Sequence, residues 1–183
     1  MPIPSTRTGV KRHYDSCSSS VREYFKHLPG LLADYPLDVC ISYAFSQVEL
    51  AHNMTLYCGV VKKHRVDRTL ARSIIDAHHM TRTEFRIRFE VVFGAAILAS
   101  VISYIEQAEN IRDKIMHGKN TLEREKREAL YNVLTYAEDF NEEIFSLAGF
   151  RPFGNLVGFK GRAKSLDKNT TRWVLKGMGF NVM

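Results

Sequence analysis

The stretch AENIRDKIMHGKN, residues 108–120, places an arginine, an aspartate and a histidine within six positions, with a glycine next. Those residue types suit phosphodiester chemistry. An imidazole that titrates near neutrality can move protons, and a guanidinium can stabilise the charge that builds on phosphorus. Arg112 and His117 stand five residues apart, which on an ideal helix is about 140° around the axis. They can converge on one phosphate only if the last helical turn loosens, as Gly118 would permit, or if a second subunit supplies the partner group. Arg112 falls at the edge of an apolar stripe through Val101, Ile105 and Ala108. It should therefore point toward packed surface, where a cation needs a carboxylate, a carbonyl or a phosphate. His117 would end its helix, where the dipole favours its charged form.

The elements around this stretch read as helices throughout. Residues 1–14 hold two prolines, a glycine and scattered bases, and are expected to form an unpacked leader. Ser20 with Glu23 has capping-box spacing, opening a short helix that could also begin earlier, at Asp15, and that stops at Pro29-Gly30. A long helix is expected over about 36–64, with Pro36 in its first turn. Asp67 should cap a shorter one. Thr81 and Glu84 form a second capping box, opening a helix expected to run from about 83 to 117 and to end at a C′ glycine, Gly118. Asn120 with Glu123 restarts a helix that Gly149 closes. So short a link makes the two long helices antiparallel neighbours. The segment TTRWVLKGMGF should form a short final helix.

The segment Arg112-Asp113-Lys114-Ile115-Met116-His117 resembles the R-x4–6-H motif of the HEPN superfamily, all-α proteins many of which are metal-independent ribonucleases. The resemblance covers about residues 36–149 and rests on this motif and the helix order. Arg-to-His spacing recurs at Arg7 to His13, Arg22 to His27 and Arg72 to His78 or His79. Only at Arg112 does an Asp follow the arginine, at the end of the most strongly patterned helix. The resemblance implies attack by a ribose 2′-OH on the adjacent phosphate, with His117 moving protons, Arg112 holding the phosphate and Asp113 orienting one of them. It implies no metal, no cofactor and a homodimer whose two motifs line one cleft. Some members that pair with a nucleotidyltransferase antitoxin carry a tyrosine two positions after the histidine. This chain has Lys119 there, which suits contact with an RNA backbone. Lys114, Arg82 and Arg86 are the other cations assigned to RNA. A toxin or defence role, with an antitoxin or other regulatory protein as partner, follows from the same resemblance.

Other constellations carry less. Arg82, Arg86 and Arg88 alternate with Phe85 and Phe89, but Glu84 and Glu90 can pair with them as surface ion pairs. His78-His79 with Asp76 suggests a metal only superficially, since adjacent histidines on a helix point about 100° apart. The three cysteines, Cys17, Cys40 and Cys58, form no C-x-x-C pair and read as small buried hydrophobes.

The bulk numbers agree with a globular chain: 183 residues, 45% hydrophobic and 25% charged. The net charge of +6 is not evenly spread. From Arg151 onward seven basic residues face one acid, Asp167, so the tail carries the whole excess. Phe150, Phe153, Phe159 and Trp173 are interleaved with those cations, and the aromatics are expected to dock while the cations face solvent. The uncharged run VVFGAAILASVISYI is shorter than the ~20 residues that span a bilayer and reads as a buried core helix. With no apolar leader segment, a cytoplasmic location without membrane contact is expected. The expected architecture is an all-α antiparallel helical bundle over 15–149, HEPN-like, with a basic, irregular C-terminal extension over 150–183 ending in a short helix. The expected function is a metal-independent endoribonuclease. The alternative is a non-catalytic helical module binding a protein or nucleic acid. In the enzyme the two motifs of the dimer should be solvent-reachable and face each other across a basic cleft; in the module Arg112 should be tied to an internal carboxylate and His117 should stand exposed alone.

Overall fold

A computed structural model describes residues 4–77, 80–156, 158–161 and 164–182. The fold is all-α, with nine helices and no strand among the described residues. They are α1 (Arg7–Ser16), α2 (Ser19–Tyr24), α3 (Leu28–Asp34), α4 (Leu37–His64), α5 (Arg68–Asp76), α6 (Arg82–Phe93), α7 (Ala99–Met116), α8 (Glu123–Ala148) and α9 (Lys168–Gly177). The chain divides into two compact units. The first runs up to Glu49 and includes Leu98–Glu142 and Phe153–Asn155; the second comprises Leu50–Ile97, Glu143–Pro152 and the chain from Leu156 on.

In the first unit, the expected leader is helical instead. Thr6 caps α1 by accepting from the Gly9 N–H, and Val10 and Tyr14 are buried. Arg7 donates to the Tyr35 carbonyl at 2.8 Å, tying α1 to the end of α3. One turn of periodic apolar residues among bases is easily read as a loop; packing against α3 makes it a helix. Ser18, not Ser20, caps α2. Pro29 does not end a helix but sits in the first turn of α3, where its missing N–H costs nothing. Helices α7 and α8 run antiparallel: Gln107 meets Asn132 at 3.2 Å and Lys114 meets Glu125 at 3.1 Å. The second helix begins at Glu123 rather than Asn120, because the Glu125 carboxylate reaches back to the Leu122 N–H at 2.7 Å. Phe153 is fully buried, with Tyr24, Phe25, Tyr136 and Phe140 around its ring. Its N–H and C=O are both bonded, at 2.8 Å each, by the buried amide of Asn141.

In the second unit, Asp67 caps α5, and both arms of the Thr81–Glu84 capping box form at α6. The long helix expected over 83–117 is broken. Gly94 takes a left-handed conformation (φ 75°) and ends α6, and a new helix starts at Ala99. Its neighbourhood is not a buried core segment, since Leu98 is 59% exposed. Continuous apolar periodicity hid a glycine that costs little in a left-handed stop. The carbonyls of Val92 and Phe93, orphaned at this end, accept from His64 and Lys63 at 2.8 Å each. From Leu156 on, the C-terminal extension belongs to this unit, whereas Phe153–Asn155 belong to the first. Thr171 of α9 is fully buried and accepts from the Asp67 N–H at 2.8 Å. Arg88, almost buried on α6, donates to the Gly179 carbonyl at 3.0 Å and lies over the Phe180 ring. Cys17, Cys40 and Cys58 are buried and free.

No helix among the described residues is long and apolar enough to cross a membrane.

Candidate functional site

The R-D-K-I-M-H segment forms the last turns of α7 and its cap. His117 is the C-cap, Gly118 adopts φ 64°, and three backbone bonds close the end: His117 N–H to Asp113 O, Gly118 N–H to Ile115 O and Lys119 N–H to Lys114 O. These three bonds satisfy the carbonyls of Asp113, Lys114 and Ile115 at the helix end. The last turn is therefore tight, not loosened. Five residues of ideal helix set Arg112 and His117 about 140° apart around the axis of one chain.

Arg112 is aimed at packed surface, as its place on the stripe predicts. Its guanidinium lies 5.4 Å from the ring centroid of Phe45, a core residue of α4. It donates to Glu49 Oε1, one turn further along α4, at 3.0 Å. The two side chains are 29% and 53% exposed, so the pair is not an internal one. Such an ion pair is worth roughly 0–1 kcal/mol, and a phosphate can compete with the carboxylate for the guanidinium. His117, Gly118, Lys119 and Asn120 are all exposed, beside a Met116 that is 64% exposed. Asp113 is half-buried. Lys114 is spoken for: it pairs with Glu125, whose carboxyl the Leu122 N–H and then Lys114 hold below the usual range.

Of the remaining candidates, Arg82 and Arg86 belong to the second unit, one turn apart on α6. Arg86 has a local electrostatic role. Its charge, after loss of water, disfavours protonation of His52, whose ring lies flat on Phe85 at 3.8 Å and is pushed down to about 3. The candidate cluster therefore divides: Arg112, Asp113, Lys114, His117 and Lys119 share one helix end, and the α6 arginines lie in the other unit. His78 and His79 lie outside the described residues, and Asp76 is paired with Arg72. Among the described residues no group of three metal-ligating side chains gathers.

Glu49 and Phe45 are the neighbours of Arg112 that sequence reasoning missed. They lie over sixty positions from Arg112, and only their i, i+4 spacing hints that they share a helix face. The expectation that the tail's aromatics dock divides too. Phe150 and Phe153 are fully buried, but Trp173 is 80% exposed.

No protein-family model, no curated protein and no solved structure matches the chain.

Proposed function

We propose that the chain is a metal-independent endoribonuclease that works as a pair of chains, with the end of α7 as its active site. The observation that carries this reading is the accessibility of the two groups the chemistry needs. His117 caps its helix and is exposed, and the carboxylate paired with Arg112 among the described residues, Glu49, is 53% exposed. A substrate phosphate entering beside Phe45 would take Glu49's place on the guanidinium. The ribose 2′-oxygen attacks phosphorus while one His117 takes its proton. The P–O5′ bond breaks, and a protonated His117 gives a proton to the leaving 5′-oxygen. The products are a 2′,3′-cyclic phosphate and a 5′-hydroxyl. A second chain supplies the second imidazole and relieves the 140° separation within one chain. Lys119, exposed beside the histidine, suits the RNA backbone. By the resemblance already described, the setting would be a toxin or defence effector held in check by a partner protein.

The non-catalytic module is favoured by one observation, the Arg112–Glu49 ion pair, which satisfies the cation without any ligand. Labelled structured and single-stranded RNA incubated with EDTA separates the two. The wild-type chain should cut and leave cyclic phosphate ends, and His117→Ala should lose about 100-fold or more in rate. If no RNA is cut by a folded wild-type chain, the module reading replaces the enzyme.

A further inference from the structure

The sole tryptophan of the chain stands on the outer face of α9. Thr171 and Leu175, on the inner face, are fully buried, and α9 packs on α5. Trp173 shares the outer face with Lys168, Asn169, Arg172 and Lys176, all exposed. At 100° per residue these five occupy an arc of about 140°, with the indole at one edge and the three cations, spaced i, i+4, i+8, along the rest. None of the three cations has an ion-pair partner among the described residues. The one acid of the tail, Asp167, is used as the N-cap, accepting from the Asn169 and Thr170 N–H groups and from the Thr170 hydroxyl at 2.6 Å.

An exposed indole with no packing role costs solubility. Its place beside a row of unpaired cations calls for a ligand that is both flat and anionic. We propose that this face of α9 binds single-stranded nucleic acid, one base stacking on Trp173 while Lys168, Arg172 and Lys176 follow the phosphates. The apolar side of α9 is already consumed in the fold, so no apolar strip is left to enter a bilayer or cover a partner helix. Charge complementarity and a single aromatic platform fit a nucleotide strand. The surface is separate in sequence from the α7 motif and binds whether or not that motif cuts.

Because Trp173 is the only tryptophan, its emission reports this face alone. The full chain would be titrated with single-stranded oligothymidylate of about 12 residues, which has no 2′-OH and cannot be cleaved by the proposed chemistry. Stacking predicts saturable quenching, with a log–log salt slope near −2 for three phosphate contacts on a single strand. The Arg172→Ala/Lys176→Ala variant should weaken binding about tenfold or more. Trp173→Ala, read by anisotropy of a labelled strand, should do likewise, with an unchanged melting temperature because the side chain supports nothing. Absence of quenching at low salt overturns the proposal, as does quenching that the charge variant leaves unaltered. A blue shift on vesicles of phosphatidylserine and phosphatidylcholine, with no response to the oligonucleotide, also overturns it in favour of a membrane surface.

Discussion

At the residue scale, the proposed chemistry turns on what holds Arg112. Its guanidinium lies over the Phe45 ring and donates to Glu49, which orients it. If phosphate displaces that carboxylate during turnover, Glu49 competes with substrate. Glu49→Gln should then lower KM for RNA several-fold with little change in kcat, because it removes competition without touching the reacting groups. If the pair were purely structural, the same variant would lower the melting temperature and leave RNA affinity unchanged. Arg112 and His117 were legible as candidates from residue type and spacing. Glu49 was not, because an ion pair across 63 positions is a property of packing.

At the element scale, caps and glycines explain most boundaries. Asp67, the Thr81–Glu84 box, Gly118 and Gly149 all act where their local chemistry places them. The failures are as instructive. Gly94 lies in an unbroken apolar run, and periodicity cannot distinguish a tolerated helix glycine from a left-handed stop. Pro29-Gly30 looks like a helix end in the sequence, but the fixed φ of Pro29 suits a beginning, and it stands in the first turn of α3. Asn141 left no signal at all, being one more polar residue on a long helix. Yet its amide closes both backbone groups of Phe153. Asn141→Leu leaves that N–H and C=O buried without partners, and urea unfolding should show a loss of about 1–3 kcal/mol. A loss within error would mean that the 153–155 loop finds other partners.

At the scale of the whole molecule, two half-buried histidines make stability depend on pH. Loss of water pushes His13 down in the first unit and His52 down to about 3 in the second. His13 also stacks on Tyr131 at 4.1 Å. In both cases the unfolded chain binds the proton first. The stabilisation is therefore complete above the ordinary histidine value of 6.5 and is lost as pH falls from there toward the folded value. The melting temperature should drop by about 2 °C or more between pH 7 and pH 5. His52→Phe, which keeps the stack on Phe85, should flatten part of that slope; an unchanged slope would move the acid sensitivity elsewhere.

Helical class, most caps, the exposed helix-end histidine and the basic tail all follow from the sequence alone, because each depends on residues within a turn or two of one another. Periodicity, capping chemistry and charge counting are local, and local physics is written in local order. The tertiary structure alone decided that Arg112 rests on Phe45 and Glu49, that the chain's N-terminal residues pack as a helix, and that Trp173 faces water while Phe150 and Phe153 are buried. Those outcomes depend on which surfaces remain to be covered once the other helices are in place, and no single stretch of chain carries that information.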